Sequence, residues 1–419
     1  FRNISLQPEY NYAYSYIKTD NPLYRLDKIS GRDSSLFDRL PSATSILATV
    51  LDNGNTYHFT EYQNSHQFNF CYRDLHSKLL KCEISVNLPV RIAHANLYYQ
   101  RMGRHDVSRQ SIFFEPNIWL RGNAWEIKAK MNSELPDLTT MVNYRDDSNP
   151  MNIILGNTQL RNIHYYDIEG GKTFEGKKHS RLNINMGYHQ TDNAVAYSLV
   201  FDKQTGVSTV QPISVNGNYR IDLGIGYTRP LDKKEKLSID NQASFNYNHN
   251  VDMAMVQGAT QSQRSIVNNW KISNVLKLNY RLDDNYEFTL HGGGTYYLIK
   301  SQREGFSNIH AGDYNIGVNV QVALPWKLQL TTDLTMFARR GYQLSEMNTT
   351  DWIWNAQLSR SFINKKLLVK LQGFDILRQL SNTQYLMNAQ GRTETWNNSI
   401  PRYMMLSLSW RFNVNPKKK

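Results

Sequence analysis

The residue types able to do chemistry are present in this chain but never assembled. It has eleven histidines, yet none stands in a His-Glu-x-x-His or His-x-His spacing that would bring two imidazoles to one metal, so no metal site is expected. His291-Gly292-Gly293-Gly294 echoes an oxyanion loop, but no Gly-x-Ser-x-Gly nucleophile elbow accompanies it. Its glycines alternate among Phe288, Leu290 and Tyr296, where they read as room for a bulky neighbour or a bend within a strand. Asp146-Asp147 has the carboxylates for calcium without the Asp-x-Asp-x-Asp-Gly loop that would arrange them. Cys71 and Cys82 are the two cysteines, too few for a disulfide scaffold and without a zinc pattern. Arg339-Arg340 and Arg303-Glu304 fall near expected loops, where an anionic ligand could meet them, though charged loop tips need no ligand. No base, nucleophile and oxyanion set can be drawn up. A non-enzymatic protein without cofactor is expected.

The elements that would hold these residues follow from composition and period. The chain has 419 residues, 12% of them aromatic, with 23 Gly and 12 Pro. So little Gly and Pro excludes collagen-like chains, and 26 Tyr, 16 Phe and 8 Trp carry far more apolar area than disordered chains do. No run approaches the ~18 apolar residues of a membrane helix. A mean hydropathy of -0.58 still allows a membrane β-barrel, where only alternate residues face lipid. The net charge of +12 is dispersed, with short groups at Lys177-Lys178, Lys233-Lys234, Lys365-Lys366 and Lys417-Lys418-Lys419. The internal groups coincide with expected tight turns, which argues for solvated turn charges and against a nucleic-acid face. The start, FRNISLQPEY, has no basic and apolar leader pattern. The expectation is a leader already removed or a chain beginning inside a longer protein.

Period-two alternation dominates. Ile213, Val215, Gly217, Tyr219, Ile221, Leu223, Ile225 and Tyr227 are apolar, aromatic or glycine, and the residues between them are polar, charged or glycine. The pattern returns at Leu237, Ile239, Ala243, Phe245 and Tyr247. It returns again at Trp270, Ile272, Leu276, Leu278 and Tyr280, then at Phe288, Leu290, Tyr296 and Leu298. Tyr314 to Val322, Trp326 to Met336, Met404 to Phe412 and Tyr10 to Tyr16 repeat it. Short connections separate these runs at Gly122-Asn123, Glu175 to Lys178, Leu231 to Glu235, Asp283 to Asn285, Leu324-Pro325 and Asn364-Lys365. Gln211 to Tyr227, read as one strand, would span ~56 Å at ~3.3 Å per residue, too long for a sandwich and suited to crossing a membrane and projecting beyond it. Tyr227, Tyr280, Trp326 and Phe362 lie close to the short turns, as an interfacial girdle requires. The fold expected is all-β: a transmembrane antiparallel β-barrel of about 14–18 strands, either whole or as part of a 22-strand barrel, filling 1–419 as one domain with no plug.

The polar parity carries Arg220, Asp222, Asp240, Lys271, Lys277, Arg281, Glu287, Lys327 and Asp333. On the lipid face at mid-depth a Lys or Arg would cost about 2–4 kcal/mol, so these residues are expected to face the lumen. Their mixed signs suggest cross-strand ion pairs or contacts to a plug rather than a strongly selective pore. Segments 133–157 and 377–401 lack alternation and are expected to be long extracellular loops, with the short turns periplasmic. Keeping Phe68, Phe70 and Tyr72 on the same face as Leu80, Cys82, Ile84 and Val86 requires even residues opposite even ones. A turn at His76-Ser77 would break that rule. Cys71 is therefore expected toward the lumen and Cys82 toward lipid, with no disulfide between them.

Several segments resemble TonB-dependent outer-membrane receptors of the Bacteroidota type, in the barrel region. Asp147 to Leu160, with Asn149, Pro150, Gly156, Asn157 and Leu160, is similar to the stretch leading into that family's Gly-Asn-Pro-x-Leu motif, with Thr158 in place of the proline. Gln372-Gly373-Phe374-Asp375-Ile376-Leu377 is similar to a segment near the family's C-terminus, carrying Phe374 and Asp375. Tyr403 to Phe412 is similar to the terminal aromatic strand recognised by the barrel-assembly machinery. The resemblance covers about residues 55–412, as the later part of a longer receptor; no plug domain or TonB box is found. It implies a Gram-negative outer-membrane location, lipid as surroundings, and energised uptake of a solute through a TonB-type inner-membrane partner acting on a plug. The alternatives are a plug-less passive or structural outer-membrane barrel, and a soluble β-rich glycan-binding protein whose Tyr and Trp stack on sugars.

Overall fold

Strict alternation of oily and polar side chains fits one arrangement, long paired strands with a separate face for each class. The computed structural model describes residues 4–29, 40–41, 43–75, 77, 80–255, 258–301, 303, 306–343, 345–380, 383–387, 392–397, 400 and 402–412. The first part of the chain forms β1 (Ile4–Asn21), β2 (Tyr57–Asp74), β3 (Glu83–Asn87), β4 (Val90–Gln100), β5 (Val107–Phe114), β6 (Asn117–Arg121) and β7 (Trp125–Glu134). Short β8 (Arg145–Asp146) and β9 (Asn152–Leu155) precede long β10 (Ile163–Glu175) and β11 (Arg181–Asp192). After β12 (Ala194–Phe201) and β13 (Ser208–Val215) come β14 (Asn218–Pro230), β15 (Leu237–Ala254), β16 (Gln263–Asp283) and β17 (Tyr286–Ser301). The series continues with β18 (Ile309–Leu324), β19 (Leu328–Arg340), β20 (Thr350–Phe362), β21 (Leu367–Phe374), β22 (Thr383–Met387), β23 (Arg392–Trp396) and β24 (Tyr403–Trp410).

Eighteen of these strands form one sheet. β3 and β4 continue a single register along β2, with Tyr72 opposite Val86 and Phe68 opposite Val90. β6 and β5 continue another along them, with Val86 opposite Ile118 and Val90 opposite Phe114. Pro89 and Pro116 stand at the two breaks, since proline brings no N–H to the ladder. The eighteen strands therefore make sixteen staves among the described residues, within the expected range. β1 and β24 are its outer strands and run in opposite directions, as the first and last staves of an even-numbered antiparallel barrel must.

The connections at 122–124, 176–180, 231–236, 284–285, 325–327 and 363–366 all fall on one rim, and the longer ones, including 135–162 and 193–217, on the other. On β16 the two belt aromatics Tyr280 and Trp270 are ten residues apart, a rise of about 25 Å at ~3.3 Å per residue and ~40° tilt, equal to the apolar band of an outer-membrane barrel. Trp326, Phe362, Trp410 and Phe412 are all exposed near the short-turn rim.

Four expectations need correction. Gln211 to Tyr227 is two strands: β13 ends at Val215, and β14 starts at Asn218. Gly217 between them has φ +106°, open to glycine alone. Ile213 and Val215 therefore leave the main wall and pack with Ala196 and Val251 in a small core. Alternation misses the break because both strands carry the same parity across it. Cys82 lies in the turn before β3 and is buried at 5% exposure, so it does not face lipid; its backbone oxygen accepts from the Ser77 N–H. The even-opposite-even register itself holds, and both cysteines are free. Segment 133–157 is not one loop, because it holds the end of β7, β8 and β9. β8 and β9 join the β12–β13 hairpin in a separate four-stranded sheet. Segment 377–401 contains β22 and β23, which pair with each other. His76, Lys78, Glu304, Lys417 to Lys419 and parts of 377–401 lie outside the described residues.

Candidate functional site on the polar face

Register brings the polar parity of five strands into one row. Lys130 Nζ on β7 lies 3.4 Å from Asp167 on β10, and Asp167 meets His189 Nδ1 on β11 at 2.5 Å. The other nitrogen of His189 is 3.3 Å from Asp222 on β14, which also accepts from Arg220 Nε at 2.6 Å and from Asn246 Nδ2 on β15 at 2.5 Å. The imidazole can donate to both carboxylates only when protonated. Two cations, two carboxylates and one histidine thus pair among themselves across the wall. Partly exposed pairs of this kind contribute at most about 1 kcal/mol each, so the row fixes the wall's electrostatics more than its stability.

Of the residues singled out from sequence, Arg220 and Asp222 belong to this row. Asp240 accepts from Thr228 Oγ1 at 2.8 Å, although its register partner is Lys277. Lys271 lies 5.8 Å over the Tyr297 ring. Arg281 and Glu287 are register partners, but Arg281 turns to Asp284 at 2.8 Å in the short connection. Asp333 accepts from Asn355 Nδ2 at 2.9 Å. Lys327 is a correction: it sits in the 325–327 turn with φ +60°, outside the wall, because the chain reverses there before parity resumes. Lys130, Asp167 and His189 were not identified from sequence, although the polar alternation Asn183, Asn185, Gly187, His189 carries the same signal.

Farther toward the long-connection rim, the polar parity of β4 turns apolar. Ala93, Ala95, Leu97 and Tyr99 are all buried, while Val90 and Tyr98 on the opposite face are exposed. The segment after β7 covers them. Leu138, Met141, Val142 and Leu160 pack with Ala95, Leu97, Tyr99 and Val107 in one core. A clasp holds this segment down. Arg101, its side chain 1% exposed, meets Asp146 at 2.7 Å, donates to Gly54 O and Asn55 Oδ1, and lies 4.9 Å over the Tyr144 ring. Burial pushes the Asp146 carboxyl up, but the Ser148 backbone N–H and Arg101 outweigh it and hold the group below its ordinary value. A second tie lies at the proline breaks, where Glu115 pairs with Arg91 at 2.6 Å and accepts from the Ser133 N–H at 2.8 Å.

The motif positions serve this docking. A Cβ on Gly156 would lie 1.7 Å from Val142 O, so only glycine allows the approach. Asn157 donates to Pro212 O at 2.8 Å from its side chain and to Thr140 O at 2.9 Å from its backbone, tying the segment to β13. Leu160 is 1% exposed in the core. Asn149 closes a local turn by accepting from the Met151 N–H, one residue past Pro150. Asp375, 3% exposed, accepts the N–H groups of Gln379 and Leu380 and donates its own N–H to Asn355. Phe374 stacks on Tyr403 at 4.5 Å, and Phe412 is 81% exposed.

Residues 121–293 and 260–410 match the family described as Outer membrane protein beta-barrel family. No curated protein matches the chain. Among solved structures, the chain is similar to OmpT, an outer membrane protein of Vibrio cholerae folded in vitro and in trimer form. The identity is 11% over 95% of this chain and 99% of that one, with a TM-score of 0.26. It is also similar to OccK5 (OpdH) of Pseudomonas aeruginosa, at 9% identity over 96% of this chain and 98% of that one, with a TM-score of 0.23.

Proposed function

This chain belongs to the outer membrane protein beta-barrel family, and on that premise we propose that it is a barrel through which small polar solutes cross the outer membrane without an energy input. As a family member it resides in the Gram-negative outer membrane, in contact with lipid, in a transport or structural role and not as an enzyme. In this reading the polar face lines the lumen and the short-turn rim is periplasmic. The terminal strand with Trp410 and Phe412 serves recognition by the barrel-assembly machinery.

The observation that carries the reading is the self-paired row Lys130–Asp167–His189–Asp222–Arg220. Its charges have partners on the wall itself, so it needs no plug to neutralise it and offers no single sign to select an ion. Uncharged and zwitterionic solutes fit such a wall best. Energised import through a TonB-type partner is the second reading, favoured by the resemblance at Asp147 to Leu160 and Gln372 to Leu377. Gly156, Asn157, Leu160 and Asp375 have packing roles in this chain that account for those residues without an energiser.

The test is solute entry into vesicles holding only the purified protein. Uncharged sugars and zwitterionic amino acids are expected to enter, with anions and cations of equal size differing little. No entry into these vesicles, with uptake appearing only once an inner-membrane energiser and a proton gradient are supplied, would establish the second reading instead.

A further inference from the structure

The oily alternation of the central wall has four gaps, and the sheet brings them together. Asn241 on β15 is opposite Leu276, and Asn274 on β16 is opposite Ala243 and Gly294. Leu276 is in turn opposite Gly292. All four interruptions, Asn241, Asn274, Gly292 and Gly294, thus share the apolar face between the belt residues Tyr280 and Trp270. Asn241 Nδ2 donates to Asn274 Oδ1 at 2.6 Å and to Val275 O at 3.3 Å. That uses both hydrogens of one amide. Asn241 Oδ1 and the Asn274 Nδ2 group have no partner among the described residues. In hydrocarbon each unpaired polar group costs several kcal/mol, and acyl chains offer nothing to satisfy it.

The glycines add an independent observation. A Cβ on Gly292 would meet nothing closer than 3.6 Å, and one on Gly294 nothing closer than 3.5 Å. Both are ordinary contacts, so packing within this chain does not demand glycine at either position. The lumen-parity neighbour Gly293 is different, with Asn274 O at 3.2 Å. The outer glycines therefore keep a notch open beside the amide pair, between exposed Leu276 and Leu290. Small residues in such a position let a second protein surface approach closely.

We propose that this notch is a self-association surface that takes a second copy of the chain across a twofold axis. One free acceptor and one free donor side by side are self-complementary. Under a twofold, the Asn274 Nδ2 group of each copy donates to Asn241 Oδ1 of the other, and both deficits vanish together. A lipid tail can fill the notch but cannot answer either group.

Association is read by sedimentation and by single-molecule photobleaching in lipid vesicles at falling protein density, with heat-modifiable gel mobility as the check on folding. The wild type is expected to form dimers. Asn241→Leu/Asn274→Leu is expected to stay folded and become monomeric, since leucine suits lipid better than an unpaired amide. Gly292→Ala/Gly294→Ala, for which this chain has room, is expected to stay folded and dissociate at least tenfold more readily. A wild type that is monomeric at every density, a trimer, or leucine variants that associate as the wild type does would overturn the proposal.

Discussion

Asp146→Ala is expected to loosen the segment around 138–160 on the wall while leaving the barrel folded. Arg101 is left with its guanidinium buried beside Gly54 O, Asn55 and Tyr144 and without a counter-charge. Breaking a buried pair costs about 3–5 kcal/mol, and because Asp146 keeps 33% exposure the lower end, about 3 kcal/mol, applies. Leu138, Met141 and Leu160 remain docked at about 1.5–3 kcal/mol each, so the segment stays down on average but opens on the order of 100-fold more often. Amide hydrogen exchange of residues 138–160 reads that change. The pH dependence has a fixed sign. Asp146 is held below its ordinary value when docked, so the clasp is at full strength above the ordinary carboxylate pKa near ~3.9 and fades as pH falls through the lowered value. Protection should be equal at pH 7 and pH 5 and drop below pH 4 in the wild type, with no such drop in Asp146→Ala. Equal protection in both proteins at neutral pH would rule out the clasp.

Leu223→Arg is expected to destabilise the barrel by about 2–4 kcal/mol. Leu223 is 36% exposed on the apolar face, four residues from both Tyr219 and Tyr227, with Met186 and Phe245 as its register partners. A guanidinium there enters the middle of the apolar band, too far from either rim for its stem to carry the charge out. Ser244→Arg is the control, because Ser244 lies on the opposite face next to Gly224 and Ser273. Denaturant unfolding from lipid vesicles should separate the two by more than 1.5 kcal/mol. A tolerated Leu223→Arg with a costly Ser244→Arg would invert the faces.

Much of this architecture is legible in the sequence because a membrane wall imposes one rule on every stave. Alternation located the long strands, tight turns located the reversals, and aromatics marked the belt. The misses share a cause, which is that period two carries no information about pairing. It runs through Gly217 without a break and cannot tell that β13 pairs with β9 instead of entering the wall. It also cannot see that Lys327 occupies a turn. The clasp was out of reach for another reason: Arg101 and Asp146 are far apart in the chain and neither stands in a motif. One clue was present, since Ala93, Ala95, Leu97 and Tyr99 are apolar on the parity that elsewhere is polar. An apolar run on the lumen parity must be covered from inside the wall. The stretch from Asp147 to Leu160 stands out by its resemblance, and Gly156 against Val142 O supplies its physical reason.

If the polar face lines a watery interior while the other face meets lipid, the two parities of β16 must differ in their access to water. Single cysteines placed along β16 in a Cys71→Ser/Cys82→Ala background test it most directly, by labelling in vesicles with a charged, water-soluble thiol reagent. Cysteines replacing Lys271, Ser273, Val275 and Lys277 should react, and those replacing Trp270, Ile272, Leu276 and Leu278 should not. Reaction at the second set with protection of the first, or equal reaction along the strand, would contradict it.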